Sequence, residues 1–511
     1  MLNENEAASL SSRNLSTLAK GTGIAFVGNI VGKIAQIATQ VILARLLGPK
    51  YFGLYALGMS FLRMTGMFSP LGMGLGVIRY AGIYQKTSQE RLKGVILQSL
   101  LTAGTIGLLL GGVLYVLAPW LAVKFFSKPE LTEVLRWFSV GIWIMAGIRV
   151  TAATTRATEK IQYSAFAQGI VEPVSNLILV GVFVILLDWS IKGALFARVL
   201  SFSLTLIVLL IFVRMLYPVV FSSRVKAEYS FKEVLTFSLA ASWAGVLAGL
   251  SGWTDRVLIG YYLPAAEVGI YQAASQVMMI FSIISMTINT IVSPMIANLH
   301  SAGENSQLDA LLKVSTRWVL YTSIPIILVI VLSSRDVMGF IFGTEYITGA
   351  TPLVILSVGG MIRVGMGAIG MVMIMTGHQN PWLLISLFMF LLNISLNLYL
   401  IPRYGLTGAA LGSSVSSVIP AVIGLFQARK LVKVWPYGKD FYKVMLAGGA
   451  SLLALLSLQG ISFDSAAVTL ALRSFTSITA YLAVILVLGL NPDDRKMFRM
   501  VKGKILNHNQ S

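Results

Sequence analysis

The sequence predicts an all-α integral membrane protein: about 14 transmembrane helices in two parallel, pseudo-symmetric six-helix lobes, followed by a C-terminal helix pair. Composition, the length of the apolar stretches and an internal repeat carry that expectation. Of 511 residues, 56% are hydrophobic and only 12% charged, with a mean hydropathy of +0.80. A soluble domain carries about 25% charged residues. The apolar stretches are long enough to cross a bilayer as helices, which takes about 20 residues; barrel strands would be about ten residues long with alternating character.

In order, the expected spans are 18–44, 52–78, 94–118, 134–155, 162–187, 191–213, 233–255, 268–296, 310–333, 350–376, 381–401, 405–427, 442–461 and 468–490. The polar, acidic start lacks a short apolar core with a small-residue cleavage site, so no cleavable leader is expected. There is no cysteine, which excludes disulfides, thiol catalysis and cysteine-ligated metals. His300, His378 and His508 are far apart, and neither a metal site nor a cofactor is expected.

The formal net charge of +19 is not distributed as a nucleic-acid footprint. With the N-terminus inside, 24 of the 39 Lys and Arg fall in cytoplasmic segments and 10 on the opposite side. That bias predicts both termini in the cytoplasm of a multi-pass cell-membrane protein.

The repeat has a period near 215 residues. Leu47-Gly48-Pro49 and Gly53-Leu54-Tyr55 are answered by Tyr262-Leu263-Pro264 and Gly269-Ile270-Tyr271. Ile148-Arg149-Val150 matches Ile362-Arg363-Val364, and Gly193-Ala194 matches Gly408-Ala409. An even number of spans per copy makes the copies parallel, an arrangement in which a transporter holds its substrate between two lobes. The expected domains are an N-terminal lobe (1–217), a cytoplasmic linker (218–230), a C-terminal lobe (231–432) and an accessory hairpin with a basic tail (433–511).

Six charged residues sit in the middle of expected spans: Lys33, Arg63, Arg149, Glu172, Arg198 and Arg363. A charge at mid-bilayer costs roughly 3 kcal/mol on lenient scales, so such side chains face a bundle interior or a wet cavity. One acid does not neutralise five cations. The excess points to an anionic substrate bound by Lys33, Arg63, Arg149, Arg198 and Arg363, with arginine suited to phosphate by its planar fork. The bland alternative is structural pairing with helix-end carbonyls or with the acid. Glu172, just before Pro173, is a candidate for binding a coupling ion or for neutralising a neighbouring arginine. Asp255 and Arg256 are candidates for an outer gate.

An enzyme of glycan chemistry needs paired carboxylates. The outer loops offer only a Glu-x-x-Glu (Glu130, Glu133), which also reads as an exposed helix face. Gly72-Met73-Gly74-Leu75-Gly76 follows no strand and lacks a lysine-serine partner, so it is no nucleotide loop. Catalysis is not expected.

Ala44-Arg45-Leu46-Leu47-Gly48-Pro49, Gly53-Leu54-Tyr55-Ala56-Leu57 and Gly74-Leu75-Gly76-Val77-Ile78-Arg79-Tyr80 resemble the opening of polysaccharide-transporter (Wzx-like) flippases. Asn393 to Pro402 and Tyr404 to Ala410 resemble that family's eleventh-to-twelfth-span junction. The family belongs to the multidrug/oligosaccharidyl-lipid/polysaccharide exporter superfamily. The resemblance implies outward flipping of a polyprenyl-diphosphate-linked oligosaccharide by alternating access, coupled to H⁺ or Na⁺. It also implies membrane lipids, and glycan polymerases or glycosyltransferases, as partners. The alternatives are a drug antiporter of the same superfamily, which calls for acids in its cavity, and a non-transporting scaffold of a glycan-assembly complex.

Overall fold

The computed structural model describes residues 4–489 apart from 159, 462 and 464. The basic tail after 489, Glu159 and Asp464 lie outside the described residues. Every regular element among the described residues is helical. Packing divides the chain into two compact units, one ending at Gly269 and one starting at Ile270.

The first unit contains α1 (Glu4–Phe68), α2 (Met73–Tyr84), α3 (Gln89–Trp120), α4 (Leu131–Arg156), α5 (Ile161–Phe166), α6 (Glu172–Val180), α7 (Ser190–Leu216), α8 (Pro218–Phe221) and α9 (Phe231–Tyr262). α10 (Ala265–Val277) crosses the division. The second unit continues with α11 (Met279–Ser301), α12 (Asn305–Leu332), α13 (Ser334–Phe342), α14 (Ala350–Gly365) and α15 (Ile369–Met375). It ends with α16 (Gln379–Leu431), α17 (Phe441–Ser457) and α18 (Ala466–Leu488).

Ten helical stretches are long and apolar enough to cross a membrane, or eleven with α9, which bends by 46° after Trp243. Their outward faces carry large apolar side chains, such as Val116 at 76% exposure and Val487 at 86%. Such faces are stable against lipid, where burial in a protein core is not required. The chain is therefore an all-α, multi-pass membrane protein.

The helices break where backbone chemistry requires it. α1 kinks at Gly48 (φ 68°) ahead of Pro49, and α16 kinks at Gly405 (φ 57°) after Pro402. The expected second span, 52–78, is not one rod. It stops at Phe68 and restarts at Met73, because Pro70 lacks a backbone donor and Leu71 and Gly72 adopt positive φ. The expected tenth span, 350–376, likewise breaks between Gly365 and Ile369.

In the first unit, α2, α3, α4, α7 and α9 contribute to one apolar cluster that includes Met73, Ile96, Val150, Val213 and Val234. In the second, α17 and α18 form a hairpin packed on α12, with Val444, Ala447, Tyr481 and Ile485 against Leu320 and Ile324. Arg473 fastens that hairpin by donating to Ser333 Oγ and to Asp336 Oδ2, each at 2.9 Å. The 218–230 segment is strapped to the start of α3. Lys93 Nζ donates to the carbonyls of Ser222 and Val225, and Glu228 N donates to Glu90 O at 3.0 Å.

Candidate functional site: a cation cluster around Glu172

The fifth expected span supplies the centre of the cluster. Residues 161–186 form one apolar stretch, but the turn Ala167–Val171 is a π-helix that hands over to α6 at Glu172. Pro173 explains the irregularity: it cannot donate to the turn below it, and the wider turn accommodates its ring. Ser201 on α7 donates to the Glu172 carbonyl at 2.7 Å, and Ser175 donates to it at 3.2 Å.

α1 approaches this turn closely. A Cβ at Gly32 would overlap Gly169 O, and one at Gly28 would touch Ile170. The Gly28-x-x-x-Gly32 spacing puts both on one face, as in other small-residue helix contacts. Lys33 follows directly. Its Nζ donates to Gln36 Oε1 at 3.2 Å, and the ammonium lies within electrostatic range of Arg63 and Glu172.

Glu172 Oε1 accepts from Arg198 Nη2 at 2.8 Å and lies 3.8 Å from Arg63 Nη2. Arg198 is 7% exposed, and its guanidinium also covers the Phe202 ring at 4.3 Å. Arg63 is in electrostatic range of both Arg198 and Arg149. Tyr55, fully packed, adds a phenol within range of Arg63, Arg198 and Glu172. The Nε donors of Arg63 and Arg198 are buried with no hydrogen-bond partner among the described residues. Lys33, Arg63 and Arg198 thus surround one carboxylate within the first unit, and Arg149 lies within electrostatic range of Arg63, so four cations share one acid. A compact dianion with several acceptor oxygens matches that excess and those open donors.

Arg363 is placed elsewhere. It sits in the last turn of α14, in the second unit, and lines a cavity of its own with Ser285, Asn289 and Thr316. Asp255 is buried near the end of α9, and Arg256 donates to Gly252 O at 2.9 Å while covering the Trp253 ring. Glu130 and Glu133 face lysines instead of each other: Lys50 Nζ is 2.7 Å from Glu130, and Lys192 Nζ is 3.4 Å from Glu133. The Lys50 hydrogen bond holds the Glu130 carboxyl below its ordinary pKa.

Sequence reading did not single out Asn176, Thr316 or Arg317, and it named Tyr55 only as part of the repeat and the family motif. Arg317 counts as cytoplasmic in the charge tally, yet it is 6% exposed on α12. Asn176, one turn after Glu172, is 4% exposed with an unpartnered Oδ1. Polar residues of these types are common in apolar helices, so only their neighbours distinguish them.

A multi-span helical bundle with a charged interior cluster is an arrangement found in membrane transport proteins. The model of the family described as "Polysaccharide biosynthesis protein" matches residues 18–300, and the chain belongs to that family. It is a Wzx-like member of the multidrug/oligosaccharidyl-lipid/polysaccharide exporter superfamily. A second model, "Lipid II flippase MurJ", matches residues 262–487. Among curated relatives, the probable low-salt glycan biosynthesis flippase Agl15 of Haloferax volcanii is 25% identical over 34% of this chain and 36% of its own length. The capsular polysaccharide biosynthesis protein CapF of Staphylococcus aureus is 21% identical over 38% of this chain. That match spans 48% of CapF, so both alignments cover under half of the relative. The putative O-antigen transporter of Shigella flexneri is 22% identical over 78% of this chain and 94% of its length. These relatives are named as transport or biosynthesis proteins, not as enzymes. In fold, the chain is similar to lipid II flippase MurJ in an inward closed conformation (TM-score 0.75, 16% identity, 90% of this chain and 98% of that one). It is also similar to an inward-facing multidrug resistance MATE family transporter (TM-score 0.66, 16% identity, 80% and 98%).

Proposed function

We propose that the chain is a flippase that moves a polyprenyl-diphosphate-linked oligosaccharide from the cytoplasmic to the outer leaflet of the cell membrane for surface polysaccharide synthesis. The observation that carries this reading is the cluster of Lys33, Arg63 and Arg198 around Glu172, with Arg149 within range of Arg63. Buried cations in such excess need an anion, and a diphosphate offers two adjoining anionic groups to planar guanidinium forks. The named flippase relatives and the family membership support the same substrate class.

In this reading the diphosphate competes with Glu172 for Arg63 and Arg198. A carboxylate displaced from its arginines in a low-dielectric interior is disfavoured as an anion, so it takes up a proton or a Na⁺. That exchange is the proposed coupling, with alternating access carrying the substrate across. Both termini are cytoplasmic in this scheme. The chain crosses fourteen times: ten spans become twelve when α1 and α16 are divided at Gly48 and Gly405, thirteen with α9 and fourteen with α17. Asp255 and Arg256 act at the outer gate. A glycan polymerase or glycosyltransferase receives or supplies the lipid-linked sugar.

The test is complementation of an exporter-deficient host, with flux of labelled lipid-linked sugar into proteoliposomes beside it. Arg63→Ala and Arg198→Ala, at wild-type expression, abolish surface glycan if the cluster holds the substrate. Undiminished glycan in both variants sinks the assignment. Flux absent from wild-type proteoliposomes would favour a scaffold. Drug-antiport activity is the weaker reading, because a cationic drug would be repelled by a cluster in which cations outnumber the one acid.

A further inference from the structure

The second unit carries a cavity that the diphosphate reading does not use. α14 ends at Gly365, and the chain passes through Met366, Gly367 (φ 77°) and Ala368 before α15 begins. Tyr437 donates to the Gly365 carbonyl at 3.1 Å, satisfying one of the acceptors that the break exposes. A cavity of about 90 Å³ opens at this break, lined by Arg363, Ser285, Asn289, Thr316 and Gly367 among others.

Its chemistry is one-sided. No residue lining it is acidic, and Arg363 brings the one formal charge among them. Thr316 is 1% exposed, and its Oγ1 has no hydrogen-bond partner among the described residues; the same holds for Ser285 Oγ. Gly367 presses against that threonine, since a Cβ there would overlap Thr316 Oγ1. Thr316 and Gly367 thus pack against each other in the wall of the cavity. Buried hydroxyls without partners are uncommon and call for an explanation at the site. A guanidinium, two unpartnered hydroxyls and an amide give a set of donors with no anion supplied by the protein.

The repeat sharpens the point. Arg149 occupies the matching position in the first copy, but α4 continues unbroken past it to Arg156. The matching helix of the first copy thus lacks the break at which this cavity opens. Discontinuous spanning helices are where transporters place their ligand sites.

We infer that Arg363, Thr316, Ser285 and Asn289 form a second anion site, separate from the Glu172 cluster, for a single carboxylate or phosphate group. Its volume suits one such group and not a diphosphate with its sugar. In the proposed flippase the group is an acidic substituent of the glycan, a clause that rests on that function; binding of the oxyanion itself does not.

Site-resolved arginine labelling tests this. Full-length protein in nanodiscs is treated with phenylglyoxal, and labelling at Arg363 and Arg149 is followed by peptide mass spectrometry. Labelling of Arg363 without added anion sets the reference rate. Inorganic phosphate, glucuronate and neutral glucose are added in separate arms. At an anion concentration about ten times the dissociation constant, mass action slows Arg363 labelling about tenfold. Thr316→Val and Ser285→Ala each weaken that protection. Protection by glucuronate alone assigns the site to a sugar carboxylate, and protection by phosphate alone assigns it to a phosphate; either supports the inference. Labelling unchanged by both anions, equal protection by glucose, or full protection in both variants overturns it. Wild-type flux without Arg363 protection removes this site and leaves the flippase reading. Protection without flux does the reverse.

Discussion

Gly53 and Gly269, 216 residues apart and equivalent in the repeat, meet backbone to backbone. A Cβ on Gly53 would overlap Ala265 O and one on Gly269 would overlap Pro49 O, so each glycine faces the turn that precedes the other. The repeat thus makes one contact twice, in reciprocal form. No side chain larger than hydrogen fits either position without moving backbone.

The first prediction follows from that contact. Gly269→Val forces the two turns apart, and overpacking of this kind destabilises by about 1–3 kcal/mol. Because the chain has no native cysteine, a single Ala265→Cys reports the opening directly. Maleimide labelling at residue 265 accelerates in the Gly269→Val background. An unchanged rate would show that the turns separate readily without it.

Glu172 holds Arg198 and Arg63 together, so removing it leaves two guanidinium groups without a counter-ion. Breaking a buried pair from one side costs about 3–5 kcal/mol. Glu172→Ala is expected to lower the thermal midpoint in detergent, monitored by tryptophan fluorescence. Adding diphosphate restores part of the loss, since an external anion then takes the place of the carboxylate. Glu172→Ala with wild-type stability contradicts the pairing.

Lys93 and Arg91 both reach the 218–230 segment, but they differ in consequence. Arg91 Nε and Glu228 Oε1 form a pair at 2.9 Å with both side chains about half exposed, where solvent screens most of the attraction. Lys93 donates to two backbone carbonyls, and charged hydrogen bonds contribute about 1.5–3 kcal/mol each. Lys93→Met therefore speeds tryptic cleavage at Arg224 and Lys226 well beyond Arg91→Ala. Equal cleavage of the two variants refutes this ranking.

Arg473 bonds the C-terminal hairpin to Ser333 and Asp336 at the start of α13. Its side chain is 11% exposed and its carboxylate partner is 38% exposed. Arg473→Leu loosens α18, with a loss of about 1.5–3 kcal/mol from the charged hydrogen bonds. Hydrogen exchange in 466–488 measures it, and Asp336→Asn has a smaller effect because Ser333 still accepts.

Much of this was legible along the chain. The apolar stretches and charge bias identify a multi-pass helical membrane protein, and the out-of-place charges Lys33, Arg63, Arg149, Glu172, Arg198 and Arg363 are visible one by one. The helix breaks were harder to read. Pro70 and Gly72 announce the interruption after Phe68, but Gly367 looks like any other glycine in an apolar span. The π-turn before Glu172 has a sequence cue in Pro173, though not its width.

The sequence by itself determined which residues carry charge into the membrane, because insertion makes each such residue expensive and therefore conspicuous. Tertiary structure alone decided which of them act together. Lys33, Arg63 and Arg198 converge on Glu172 through contacts such as Gly32 against Gly169, with Arg149 in range of Arg63, while Arg363 belongs to the second unit at the Gly367 break. A charge is a property of one residue and is legible in one dimension. A shared site is a set of distances between helices, and those are fixed only when small residues and bent backbones let the helices meet.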